Sequence, residues 1–271
     1  MLRSIDEWKA PHAAAAVVRA GGVAAEHGPA DHVFRWASVT KLATALAALV
    51  ALEEGVVELE EPVGPEGSTV RHLLAHASGL PFEEGPPIAR PGQRRIYSNQ
   101  GFETLAAHVA EQAEMPFERY LAEAVFRPLG MGAELRGSAG AGVHGTLRDA
   151  AALARELLAP TLVAPETLAE ATTVAFPGLA GVLPGVGRFD PLDWGLGFEL
   201  KDAKPRHWTG ELPSPRAFGH FGGAGTFLWV DPERALALVV LTDREFGDWA
   251  LTAWPALSDD VVREGSRAGA G

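Results

Sequence analysis

The segment that most restricts the fold of this 271-residue chain is SVTKLATALAALVAL, residues 38–52. Nearly every residue in it favours a helix, and Gly55 lies just beyond its end. Its polar residues crowd at the start. After Lys41 the run is apolar on every side rather than along one stripe. A helix of that kind is stable in water only in the middle of a fold, so other elements must cover it all round. Lys41, on its first turns, therefore starts in a poorly solvated place.

The covering elements can be read from either side of that helix. Ala13–Arg19 and Gly22–His27, joined through Ala20 and Gly21, read as a β-hairpin, and Val33–Trp36 is a short apolar stretch leading to Ser38. The middle is rich in helices and loops. Helices are predicted at Val70–Ala77, Asn99–Gln112, Phe117–Val125 and Leu147–Leu158, the last started near Thr146 with Asp149 in its first turn, and Pro81–Pro91 is a loop. Beyond Ala175 the pattern becomes glycine-rich strands at Trp194–Leu200, Thr226–Val230 and Ala235–Leu241, with residues 231–234 as a hairpin connection. Trp249–Val262 is a closing helix and Gly265–Gly271 a frayed tail. Strands at both ends pair most simply in one antiparallel sheet. The expected class is α/β (α+β), a single domain with two lobes: residues 1–57 plus 191–271 around the sheet, and residues 58–190 as an all-α lobe.

Composition narrows the chemistry. The formal net charge of −12 repels nucleic acid and anionic membrane. With no cysteine there is no disulfide, thiolate metal site or Cys nucleophile. Met1–Ala10 carries Asp6 and Glu7 and resembles no signal peptide, and no stretch approaches a membrane span, so a cytoplasmic protein is expected. His72 and His76 stand at i, i+4, but no glutamate follows the first histidine and no third ligand is apparent, so neither metal nor cofactor is expected. No serine has glycine at both −2 and +2, which removes the α/β-hydrolase nucleophile elbow.

Ser38 and Lys41 sit at i and i+3, on one helical face. A serine hydroxyl needs a base within reach, and burial turns lysine into one by disfavouring its charged form. With nine serines and four lysines, chance yields such a pair in about one chain in eight, so the pair alone is not decisive. Tyr97-Ser98-Asn99 adds a phenol and an amide at the opening of a helix. Gly219-His220-Phe221-Gly222-Gly223 adds a glycine-rich strand whose N–H groups are free to approach an oxyanion.

Taken in order, these three segments resemble the penicillin-recognising serine hydrolases: class C β-lactamases, DD-peptidases and the esterases similar to them. Residues 71–80, RHLLAHASGL, resemble a further segment of that group with Ala77 in place of threonine, and residues 146–150 and 194–198 match others. The resemblance implies a β-lactamase-like (DD-peptidase) fold. It implies an acyl-enzyme at Ser38, with Lys41 and Tyr97 handling protons. Asn99 would orient Lys41 and the substrate, and the N–H groups of Ser38 and Gly223 would form an oxyanion hole. His220, Phe221 and Gly222 stand where the β-lactamases carry Lys-Thr-Gly to grip a substrate carboxylate. Losing that charge-assisted contact costs ~1.5–3 kcal/mol, which points to a neutral ester or amide as the small-molecule substrate and to little β-lactam turnover. A D-stereospecific peptidase or transacylase, a weak β-lactamase, and a non-catalytic sensor keeping the fold remain open. The oligomeric state is undetermined.

Overall fold

The computed structural model describes residues 1–268. After a 3-10 helix, Leu2–Trp8, comes the expected hairpin of β1 (Ala13–Arg19) and β2 (Gly22–His27). The short strand β3 (Phe34–Arg35) and a 3-10 turn, Ala37–Val39, lead into α1 (Thr40–Glu53). Next come α2 (Val70–Leu74), β4 (Arg95–Ile96), α3 (Asn99–Gln112) and α4 (Phe117–Leu121), the last continued by a π-helical turn, Ala122–Phe126. They are followed by β5 (Glu134–Leu135), β6 (Val143–Gly145), α5 (Leu147–Leu158), α6 (Pro165–Ala171), β7 (Gly181–Leu183) and β8 (Gly187–Phe189). The chain then forms β9 (Glu199–Leu200), β10 (Phe218–Gly222), β11 (Thr226–Asp231), β12 (Leu236–Thr242) and α7 (Asp248–Ala268).

The two ends of the chain do meet in one sheet. Its order is β2-β1-β12-β11-β10-β9, with β1 antiparallel to β12 from Ala13↔Thr242 to Val18↔Ala237. Side chains alternate across a strand, and here both faces are apolar. Ala14, Ala16 and Val18 join Leu228, Val230, Val239 and Leu241 in the core shared with the helices of the middle of the chain. Ala15 and Val17 face the other way, with Phe227, Trp229, Leu238, Val240 and the apolar side of α7. α5 covers the first face through β1, β11 and β12, held at its start by a capping box between Thr146 and Asp149. α1 is buried along almost its whole length and packs on α3, α4 and β10, which answers the pattern of its sequence.

Several expectations need correction. Residues 58–190 are not all-α: β4–β8 lie among them in two small three-stranded sheets, the one with β5 and β6 completed by β3, and α5 packs on the main sheet. Trp194–Leu200 is not one strand: only Glu199–Leu200 pairs with β10, because Gly197 takes φ +91 and turns the chain there. A Cβ on Gly197 would stand 2.2 Å from the Ala45 Cβ, so the turn lets this loop press on α1. The helix from Val70 stops at Leu74, since His76 has a positive φ of 54°. The closing helix runs on through Gly265 to Ala268; its tertiary seat beside Arg19 and Leu236 outweighs the glycine, and residues 269–271 of the expected tail lie outside the described residues. The first residues bury Leu2, Ile5 and Trp8 against α7 and β1, an amphipathic turn too short to show periodicity. Among the described residues no helix is long and apolar enough to cross a membrane.

Candidate active site

Ser38 lies in the 3-10 turn that opens α1, and the residue before it is strained. Ala37 has φ 47, a left-handed conformation that costs a non-glycine residue about 1–2 kcal/mol. Two bonds to the residue before it hold it there. The Trp36 N–H donates to Val143 O at 2.9 Å, and the Thr226 hydroxyl donates to Trp36 O at 2.7 Å. The kink leaves Ser38 partly exposed at the sheet edge while Val39 and Thr40 are buried. Thr40 and Thr44 tie the following helix to residues 139–143, through Val143 N at 2.9 Å and Ala139 O at 2.6 Å.

Lys41, the second residue of α1, is fully buried, its ammonium 3.3 Å from Ser38 Oγ. It donates to Asn99 Oδ1 at 2.6 Å and to Gly140 O at 2.8 Å, and lies 4.8 Å from the centre of the Tyr97 ring. Desolvation lowers its pKa to about 7, with the negative charge of Glu103 pulling partly the other way. Tyr97 is buried as well, and its phenol is hydrogen-bonded to Ser38. Burial pushes that phenol far above its ordinary range despite the bond to Ser38, so it stays protonated.

Asn99 and Tyr97 reach the site from the start of α3, where the Ser98 hydroxyl caps the helix by accepting from Gly101 N. His76 anchors that start: its Nδ1 accepts the Ser98 N–H at 3.1 Å and its ring lies 4.7 Å from that of Tyr97. His72 instead places Nδ1 2.9 Å from Thr69 Oγ1, and its ring lies against that of Phe176, centroids 4.3 Å apart. Glu103, one turn along α3 from Asn99, holds the loop that presents Gly140 to Lys41, by accepting from Ser138 Oγ at 2.5 Å and Gly140 N at 3.2 Å. Neither Glu103 nor Gly140 was singled out in the sequence. The i, i+4 spacing of Asn99 and Glu103 was the available sign.

β10 brings the glycine-rich segment alongside. A Cβ on Gly222 would sit 2.5 Å from Trp36 O and 3.0 Å from Ser38 N, so glycine is what lets the strand touch the serine turn. A Cβ on Gly223 would meet nothing within 4 Å. Among the described residues the N–H groups of Ser38 and Gly223 donate to no backbone carbonyl. His220 is buried beside Tyr97, with Nδ1 donating to Phe221 O at 2.6 Å. Desolvation, reinforced by Lys41, holds its pKa at about 3. Its ring is neutral at pH 7 and offers an acceptor, not a cation. Ser38, Tyr97, His220, Phe221 and Gly223 share a cavity of about 230 Å³ whose remaining walls are Phe82, Leu183, Pro184, Gly185 and Phe246. Every residue of the expected site thus lies at or directly behind one opening. An adjoining cavity of about 440 Å³ shares Phe82, Tyr97 and Pro184 and is rimmed by Arg94 and Arg188.

A family model described as Beta-lactamase matches residues 4–133 and 132–262. The fold is similar to a crystal structure of a beta-lactamase from Mycobacterium bovis, at 55% identity and TM-score 0.96, covering 97% of this chain and 98% of that one. The D-alanyl-D-alanine-carboxypeptidase/endopeptidase AmpH of Escherichia coli is 30% identical over 138 residues, a stretch covering 37% of this chain and 36% of the relative. A hydrolase with promiscuous acyltransferase activity shares the fold at TM-score 0.74 and 18% identity, covering 93% of this chain and 96% of that one.

Proposed function

The chain belongs to the beta-lactamase family, and from that premise we propose that it is a serine hydrolase that acylates Ser38 with the acyl group of a neutral ester. The observation that carries this reading is the buried Lys41, poised near neutrality 3.3 Å from the serine oxygen. As the free amine it takes the Ser38 proton while Oγ bonds to the carbonyl carbon. The carbonyl oxygen gathers charge between the N–H groups of Ser38 and Gly223. As the carbon–oxygen bond to the leaving group breaks, the Tyr97 phenol passes it a proton and is refilled from Lys41. Water then repeats the sequence in reverse and frees the acid. Asn99 and Gly140 O keep the Lys41 nitrogen in place throughout.

The preference for a neutral substrate rests on the walls. The lining of the cavity, with a ring held neutral at His220 and the aromatic faces of Phe82, Phe221 and Phe246, includes no lysine or arginine to pair with a carboxylate. A second reading, a D-stereospecific peptidase or transacylase, draws support from Arg94 and Arg188 on the neighbouring cavity, which could receive an acidic terminus further from the reacting carbonyl.

A panel of short-chain p-nitrophenyl esters, D-alanyl peptides and nitrocefin, run on wild type and Ser38→Ala, separates these. Ester turnover abolished by Ser38→Ala is expected, together with a fluorophosphonate adduct mapping to Ser38. Nitrocefin hydrolysis at ester-like rates, also lost in the variant, would overturn the neutral-substrate reading. An adduct elsewhere, or none on folded protein, would overturn the assignment of the nucleophile.

A further inference from the structure

We propose that His12, His32 and Asp243 form a binding site for a divalent transition-metal ion, with Zn²⁺ the best match, away from the Ser38 cavity. The three residues come from distant parts of the chain: the approach to β1, the loop before β3 and the end of β12. The ladder between β1 and β12 places two of them side by side, since the Asp243 N–H donates to His12 O at 3.1 Å. His12 Nδ1 lies 2.6 Å from Asp243 Oδ2, and His32 Nε2 lies 3.4 Å from the same oxygen. The two imidazoles stack with centroids 4.0 Å apart at 25°, so both aim a nitrogen at one carboxylate. All three donor atoms fall within 4.8 Å of one another. A tetrahedral zinc with bonds of 2.0–2.1 Å sets its ligand atoms roughly 3.3 Å apart, so small shifts of the three side chains would enclose an ion.

The surroundings favour this use. Phe34 and His32 meet in a T-shaped contact, centroids 4.5 Å apart, which restrains the imidazole. Cations close to these residues in sequence or pairing are engaged elsewhere: Arg244 donates to Trp8 O and lies over Trp249, Arg35 pairs with Glu245 at 3.0 Å, and Arg148 pairs with Asp31 at 3.0 Å. His32 and Asp243 are about one-third exposed and His12 nearly half, which leaves room for water to complete the coordination. Two imidazoles and one carboxylate suit zinc, cobalt or nickel, whereas magnesium and calcium require oxygen donors. Asp243 stands three residues before Phe246, whose N–H donates to Gly223 O at 2.8 Å, so a bound ion would brace the base of a segment that lines the Ser38 cavity.

The test uses protein stripped with chelator and freed of any polyhistidine tag. Calorimetric titration with Zn²⁺ should give one equivalent bound. Co²⁺ should develop visible absorption bands of tetrahedral type that Zn²⁺ displaces, and Mg²⁺ should do neither. Zn²⁺ should raise the thermal midpoint of wild type and leave that of His32→Ala unmoved. His32→Ala and Asp243→Asn should each weaken binding at least tenfold, with circular dichroism in chelator like that of wild type. Should His32→Ala misfold, His32→Gln serves, being closer in size. Absence of stoichiometric Zn²⁺ binding by wild type, or binding unchanged in the folded variants, overturns the proposal.

Discussion

Lys41 carries four pressures at once. Its nitrogen is stripped of water, held by Asn99 and Gly140, set against Ser38, and drawn toward the charged form by Glu103. Desolvation outweighs the rest, which places the amine near pH 7. A base must be unprotonated to act, so kcat/KM for an ester should rise with pH through about 7 and level off above it, as a pH–rate profile of wild type will show. His220, held at about 3, adds no limb between pH 5 and 8. Glu103→Gln removes the negative charge that favours the ammonium, so the acidic limb should move to lower pH, a shift that mere loosening of the 138–140 loop would not produce. Tyr97→Phe removes the phenol but keeps the ring that packs on His76 and should cost 10²–10⁴-fold in kcat with little change in thermal midpoint. The pairing of Ser38 with Lys41 was legible because it depends only on helical spacing. The roles of Glu103, Gly140 and His76 were not, because each acts through a loop whose path is set by the rest of the fold.

Elements position these side chains by contact between backbones. β10 touches the Ser38 turn through Gly222, and Gly222→Ala would force the strand and the turn apart. We expect at least a hundredfold loss of kcat/KM in a protein whose circular dichroism matches wild type, since the clash falls on Trp36 O and Ser38 N. On the far side of β10, the short strand β9 holds the loop of residues 200–217 through a buried charge cluster. Glu199 accepts from His207 Nε2 at 2.7 Å and Trp208 Nε1 at 3.0 Å, and Lys204 lies 3.1 Å from its other oxygen. Glu199→Ala would strand all three partners and cost about 3–5 kcal/mol in denaturant unfolding. Nothing in the sequence pattern marked this cluster. Trp194–Leu200 reads as a glycine-rich strand, and the partners converge only after Gly197 turns the chain.

Across the whole molecule a sheet with two apolar faces lies between the helices of the middle of the chain and the closing helix, and the site opens at the edge of the sheet. The same burial sets a limit in acid. Desolvation alone would raise the pKa of Glu199, but His207 and Lys204 override it and hold the carboxyl at about 2. A depressed carboxyl stabilises the fold above its ordinary pKa near 4.5 and ceases to as pH falls toward 2. Wild type should therefore lose its stability advantage over Glu199→Gln between pH 5 and 2.5, measured by urea unfolding at each pH.

The division between what sequence and tertiary structure decide is physical. Hydrophobic pattern acts over a few residues, so the terminal hairpins, the buried α1, the caps of α3 and α5 and the Ser38–Lys41 spacing were all present in the linear order of residues. Ionisation and ligation depend instead on which atoms crowd a group from distant segments. Only the folded chain could bring the Lys41 amine near pH 7, keep His220 uncharged, bury Glu199 against His207 and Lys204, and set His12, His32 and Asp243 around one point.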